Sequence, residues 1–469
     1  MLFSSISFIY VFLPAVCFLY LITRKELHNP ILLIASIIFY AWGEPRYLAI
    51  MLVTIMVNYL GALLIEKYPL KKKLTLTLTI AANLGFLIYF KYFNFILGNI
   101  NALLHTNIDF IKVVMPIGIS FYTFQAMSYL IDVYRGECKA QKDIYKLALY
   151  ICLFPQLIAG PIVKYHDVAE QIDSREVNFE KVDIGVKRFI IGLAKKMLIA
   201  NTMGAIADKI FVQAPDTFTP LIAWIGSFAY SLQLFYDFSG YSDMAIGLGL
   251  IFGFRFMENF NYPYISKSIT EFWRRWHISL STWFKQYVYI PLGGNKISPN
   301  RTYINLAVVF FLTGLWHGAS WNFIFWGLWN GFFIILEKMT GWHKETDKPF
   351  INFLKHIYTI FIFVLGWVMF RADNMHYAAI YLKNMFGLVK VHDIAYAINY
   401  YGDTVEILTF IIAVICAMPV FSKILEIKQE RKILRSIVNI WLIILFILST
   451  AAVAASTYNC LLYTSDAAD

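Results

Sequence analysis

Long apolar blocks, separated by short polar and basic links, make up most of this chain. An α-helix rises about 1.5 Å per residue and a bilayer core is roughly 30 Å thick, so such blocks read as membrane-spanning helices. The pattern predicts helices near 3–23, 29–42, 47–65, 74–97, 114–133, 144–163, 185–212, 219–236, 238–256, 303–316, 319–337, 353–371, 405–422 and 436–456. Pro116, Pro155 and Pro161 interrupt apolar runs, which makes the blocks around them candidates for re-entrant segments. Broken backbone at membrane depth requires protein or a cavity around it. The expected fold class is an all-α polytopic membrane protein with about ten to thirteen spans and no short-period repeat.

The longest polar-containing link runs from about Glu258 to Thr302. Within it, Trp273, Trp276, Leu280, Trp283, Phe284, Tyr287 and Ile290 recur at three- and four-residue spacing, with Arg274, Arg275 and Lys285 off that stripe. The spacing predicts one amphipathic interfacial helix over Glu271–Ile290, stopped by the Pro291-Leu292-Gly293-Gly294 turn.

Composition sharpens this picture. The chain is 59% hydrophobic with a mean hydropathy of +0.60, and its 15% charged residues fall well below the roughly 25% of soluble domains. The net charge of +10 sits in links between apolar blocks, at Arg24–Lys25, Lys71–Lys73, 267–301 and 423–435. That is positive-inside bias rather than a nucleic-acid surface, and it puts these links in the cytoplasm and the N-terminus outside. Cys17, Cys138, Cys152, Cys416 and Cys460 form no CxxC or Cys/His cluster, so neither a zinc site nor a disulfide framework is expected. Met1–Ile22 has no basic leader or cleavage site and reads as a retained helix. One membrane domain over 1–455 is expected, followed by an atypical acidic tail at 456–469.

The stretch from Thr302 to Leu336 contains no Asp, Glu, Lys or Arg, yet it holds His317. An ionisable group in such a stretch is a functional-site hypothesis by default. Its neighbours Gly314, Trp316, Gly318, Ser320, Trp321 and Asn322 are small, aromatic or hydrogen-bonding. A second Trp-His pair, Trp276-His277, lies on the amphipathic segment with Ser279 and Ser281 behind it. Two such histidines suit a base and a positioning partner. The alternatives are a histidine satisfied by a neighbouring helix and an interfacial anchor beside Arg274 and Arg275. No carboxylate or cysteine stands at ligand spacing, so no metal is expected.

Asp237 and Asp243, in Tyr236-Asp-Phe-Ser-Gly-Tyr-Ser-Asp243, either orient a histidine or bind a cation, or form a polar cap between two helices. The cap is the favoured reading for Asp237, and Asp243 stays open. Gln125 and Gln156 each place an amide in an apolar run, where they line a cavity or pin helices together. No GxSxG elbow, P-loop or dinucleotide fingerprint is present. A multi-span transporter or flippase for a cell-envelope substrate remains the alternative from another class, although no inverted repeat of broken helices is evident.

The chain closely resembles the membrane-bound O-acyltransferase (MBOAT) family, and within it the alginate O-acetylation type. The resemblance is carried by Met1–Ser5, Phe39–Gly43 with Pro45 and Tyr47, Gly118–Gln125, Phe154–Pro161, Tyr236–Asp243, Trp273–Gly294 and Gly314–Asn322. It implies a helical bundle with a funnel or tunnel, His317 as the catalytic residue and His277 in support. It also implies an acyl thioester donor, acetyl-CoA or an acyl carrier protein, entering from the cytoplasm, with no resident cofactor. The acceptor would be a hydroxyl of an extracellular polysaccharide, reached through a separate SGNH-hydrolase-like acetyltransferase partner outside a bacterial inner membrane. Trp316, Asn322, Ser320, Asp243, Gln125, Gln156 and Trp276 are then candidates to line the substrate path, and Arg274, Arg275 and Lys285 to attract the donor. A neutral imidazole in an apolar site suits removal of a hydroxyl proton, because burial disfavours its charged form.

Overall fold

The computed structural model describes residues 1–158, 160–391, 394–420 and 432–455, with the side chains of 432–435 left out. The atypical tail at 456–469 lies outside the described residues, as do Cys460 and most of the basic link at 423–435. The regular structure is all helical, with no strand among the described residues. In order the helices are α1 (Leu13–Ile22), α2 (His28–Gly43), α3 (Leu48–Lys67), α4 (Lys72–Leu87), α5 (Phe93–Leu104), α6 (Ile119–Arg135), α7 (Ile144–Cys152), α8 (Phe154–Leu157), α9 (Tyr165–Asp173) and α10 (Phe179–Ala194). They continue as α11 (Asn201–Phe211), α12 (Pro220–Ile251), α13 (Ile269–Arg275), α14 (Ile278–Phe284), α15 (Pro299–His317), α16 (Trp321–Thr340), α17 (Pro349–Arg371), α18 (Met375–Met385), α19 (Thr404–Cys416) and α20 (Lys432–Ala455).

Among the described residues, five helical stretches are long and apolar enough to cross a membrane: Leu48–Lys67, Pro69–Leu104, Phe179–Phe211, Pro349–Arg371 and Ser436–Ala455. Phe8–Ile22 and Thr404–Cys416 are apolar but shorter. Helices α12, α15 and α16, of 32, 19 and 20 residues, have the length but carry polar side chains that the protein buries. The molecule is an all-α polytopic membrane protein.

The described residues form two compact units, one of Met1–Phe189 with Tyr241–Met257 and one of Ile190–Gly240 with the residues from Glu258 onward. In the first, Phe3, Phe8, Phe39 and Phe154 pack at ring distances of 4.9 to 6.3 Å. Between α3 and α4 the buried amides of Asn58 and Asn83 hydrogen-bond each other at 2.9 and 3.1 Å, polar glue of the kind apolar spans use to associate. Gly118 opens α6 at φ +75, with the carbonyl of Leu157 where a side chain would go, so the block predicted from 114 becomes helical only at Ile119. The block predicted over 144–163 is likewise broken, into α7 and the single turn α8, with Pro155 in that turn.

Two predictions for the chain beyond residue 218 are corrected. The blocks at 219–236 and 238–256 are one continuous helix, α12. Asp237 is therefore no cap; it lies buried in mid-helix, ion-paired to the buried Lys196. Gly240 does not end the helix either, because it is where the Gly192 carbonyl approaches too closely for any side chain. Nor is 271–290 a single helix. It is α13, then α14, then a π-helical turn at Lys285–Tyr289, with a break at Trp276–His277.

Candidate active site

His317 is the last residue of α15, and four residues later, at Trp321, α16 begins and turns back against it. The pairing depends on glycine. A methyl group on Gly314 would collide with the carbonyl oxygen of Phe323, and one on Gly327 with that of Phe310. Backbone therefore lies on backbone where the two helices cross, the close approach that small residues permit in membrane bundles. Gly318 sits in the turn with the Phe323 ring against it. The result is an imidazole 7% exposed, edge-on to three aromatic rings: Trp316 at 4.9 Å, Trp326 at 5.0 Å and Phe370 of α17 at 5.3 Å.

His277 occupies the break between α13 and α14 with φ +44, a left-handed conformation that side chains rarely adopt. Its ring is buried, T-shaped to Phe238 of α12 at 4.6 Å and to Trp316 at 6.0 Å. Trp316 thus packs against both histidines. Nδ1 of His277 lies 3.2 Å from Oδ1 of Asn259. Burial pushes the imidazole down to about 3, so it is neutral at physiological pH.

The segment carrying His277 is clamped to the helices carrying His317. Glu337 of α16 is buried, and its carboxylate accepts from the backbone N–H groups of Ile269 and Thr270 at 2.6 and 2.9 Å and from the Thr270 hydroxyl at 2.7 Å. That caps the N-terminus of α13 with a negative charge, where the helix dipole favours one. Trp273 donates its indole N–H to Asn330 at 3.2 Å and packs on Trp326 and Phe310, each at 5.6 Å.

Beside this clamp lies a cavity of about 340 Å³. Arg274, Lys285 and Lys338 line it together with Trp273, Phe310 and Thr313. Thr313 is one helical turn before His317, and Trp273 and Phe310 belong to the aromatic layer that includes Trp326. Basic groups and the apolar wall that backs the catalytic candidate thus share one space.

A model of the MBOAT, membrane-bound O-acyltransferase family, matches residues 34–379, which include both histidines and every residue of the cavity. The chain belongs to the membrane-bound O-acyltransferase family. It is 44% identical to a probable alginate O-acetylase of Pseudomonas putida over 81% of this chain and 79% of that one. It is 37% identical to a peptidoglycan O-acetyltransferase of Helicobacter pylori, over 83% and 80%. A teichoic acid D-alanyltransferase of Bacillus subtilis is 29% identical over 56% of this chain and 70% of its own. Membership sets aside the transporter alternative.

In this acyltransferase the other sequence candidates take varied places. Trp276 lies in an aromatic stack with Phe272 and Trp367 at 5.5 and 5.1 Å. Asn322 spends its amide N–H on the backbone carbonyl of Ala372. Ser320 sits at the start of α16 without capping it. Arg275 pairs with Glu271 at 2.9 Å and donates to the Asn261 carbonyl, and it does not line the cavity that Arg274 and Lys285 share. Asp243, Gln125 and Gln156 belong to the first unit. There Asp243 pairs with Arg188 at 2.9 Å, Gln156 donates to the Tyr150 carbonyl at 2.6 Å, and Gln125 is fully buried. Sequence reasoning missed Asn259, Glu337, Lys338, Trp326 and Phe370. For Glu337 a signal existed, a lone acid closing the uncharged stretch that holds His317.

Proposed function

We propose that the protein transfers a short acyl group, acetyl or similar, from a thioester at the cytoplasmic face to a hydroxyl of an extracellular polysaccharide. The observation that carries this is the shared aromatic wall between His317 and a cavity lined by Arg274, Lys285 and Lys338. The cations suit the phosphates of coenzyme A or a phosphopantetheine arm with its acidic carrier protein, and the apolar wall suits the thioester. His317 takes the proton of the acceptor hydroxyl as its oxygen attacks the thioester carbonyl. The carbon–sulfur bond then breaks, and the imidazolium returns the proton to the departing thiolate. Buried aromatic rings exclude the water that would hydrolyse the thioester.

The relatives are named for acyl transfer to alginate, peptidoglycan and teichoic acid, which supports a polysaccharide acceptor here. An SGNH-hydrolase-like partner outside the membrane receives the acyl group or presents the glycan, and the protein resides in a bacterial inner membrane. Reconstitution tests the donor side. Proteoliposomes carrying the protein are given acetyl-CoA or an acetylated acyl carrier protein, with a deacetylated glycan and the SGNH-hydrolase-like partner on the opposite face. The reading expects one donor to yield glycan ester and free thiol in equal amounts. Intact donor crossing the membrane, or no ester from either donor, overturns it.

A further inference from the structure

Asn259 lies in the link before α13, 1% exposed, and its position is fixed from both ends. Its backbone carbonyl accepts the N–H of Ile278 at 3.0 Å. Its side-chain oxygen accepts the backbone N–H of Ser279 at 3.2 Å and the Ser279 hydroxyl at 2.9 Å. A backbone N–H can only donate, so the amide must present its oxygen, not its nitrogen, to this corner. The same oxygen lies 3.2 Å from Nδ1 of His277. Two acceptors cannot share a hydrogen bond, so Nδ1 carries the proton. The Ser279 hydroxyl, 3.4 Å from Nδ1, has already committed its own proton to Asn259 and cannot donate to the ring. The lone pair of the neutral imidazole therefore falls on Nε2, which is buried and has no hydrogen-bond partner among the described residues.

Resting on the acyl-transfer reading above, we propose that Asn259 is a positioning residue: it holds His277 in the left-handed break and in the Nδ1–H tautomer, leaving Nε2 as the acceptor for a hydroxyl of the acceptor sugar. The arrangement explains a conformation the sequence gives no local reason for. Three hydrogen bonds to one side chain, and a fourth to its backbone, offset the cost of a histidine at positive φ. Among the described residues, burial and not a neighbouring charge sets the protonation state of His277. Phe238 from α12, Trp316 from α15, and Asn259 and Ser279 on its own link are its neighbours, all uncharged. The nearby ions are already paired or turned to the cavity: Asp237 with Lys196, Arg275 with Glu271, and Arg274 lining the cavity.

Two measurements on the full-length protein decide it. In the first, ¹⁵N-histidine-labelled protein in lipid is compared with His277→Asn, and the lost signals report the His277 tautomer. A protonated Nδ1 with a bare Nε2 is expected; a protonated Nε2 overturns the proposal. The second uses acetyl-CoA and a deacetylated alginate oligosaccharide as probes, with the SGNH-hydrolase-like partner present and wild type, Asn259→Leu and Asn259→Asp compared at matched thermal stability. Asn259→Leu is expected to lower kcat about tenfold, the worth of one buried hydrogen bond, with KM for acetyl-CoA little changed. Asn259→Asp keeps the acceptor oxygen and adds a negative charge, so it raises the proton affinity of His277 and moves the acid limb of kcat to higher pH. A profile that superimposes on wild type overturns the proposal. Failure of the wild type to form any ester strikes the acyl-transfer reading instead, and the tautomer measurement stands apart from it.

Discussion

A histidine held at about 3 when its free value is 6.5 leaves a mark on stability as well as on chemistry. Between those two pH values the unfolded chain binds a proton that the folded one refuses, so stability rises with pH through that window and levels off above it. Thermal unfolding in detergent is expected to show this acid-side slope for the wild type and a flatter one for His277→Asn. An unchanged slope would mean that His277 meets water in the folded protein. The same logic keeps His277 neutral wherever the enzyme works, so it suits accepting a hydrogen bond better than stabilising an anion. At the cavity, Arg274→Glu with Lys285→Glu is expected to raise KM for the thioester donor about tenfold, more at low salt, and leave kcat within about twofold. Equal loss of kcat would place these cations at the reacting atoms instead. His317 stands out in the sequence because an ionisable group in a long uncharged stretch has few innocent explanations, whereas His277, beside Arg274 and Arg275, is marked only by its repeat of the Trp-His pair. Asn259 was not legible, because its role lies in hydrogen bonds to residues 18 and 20 positions away, and no periodicity records that.

The α15–α16 pair shows what an element needs in order to hold a site. Its break at Gly318 was foreseeable from the length of the uncharged stretch, which exceeds one membrane crossing. Gly314 and Gly327 then set how closely the two helices meet. Gly327→Ala is expected to cost about 1–3 kcal/mol and lower activity with it, since the methyl forces apart the helices that frame His317. Melting temperature and turnover measured together check this, and a neutral result would show the crossing to be looser than described. Helix α12 went the other way. Asp-Phe-Ser-Gly reads locally as a cap and turn, yet Lys196 supplies a buried counter-charge and Gly192 a backbone neighbour, so tertiary contact overrides the local signal. Asp237→Ala alone is expected to cost about 3–5 kcal/mol by removing the counter-charge of a buried lysine, and adding Lys196→Met should recover much of it. If the single variant melts like the wild type, Lys196 finds other compensation.

At the scale of the molecule, hydropathy blocks gave the all-helical membrane class directly, because lipid-facing positions need only be apolar and that is visible residue by residue. Where helices break, and which polar residues inside them meet, is decided by packing between distant segments and was not. The second unit gathers the basic cavity, both Trp-His pairs and the Glu337 clamp from helices spread over residues 258 to 371, so motifs scattered along the sequence come together in one place. The central claim is that His317 performs acyl transfer to an envelope polysaccharide. The most direct test is the O-acyl ester content of extracellular and cell-wall polysaccharide in a null strain expressing wild type or His317→Ala at matched membrane levels. Ester is expected to be restored by the wild type and to be absent with the variant. Equal ester from both would contradict that claim and leave His317 a packing residue.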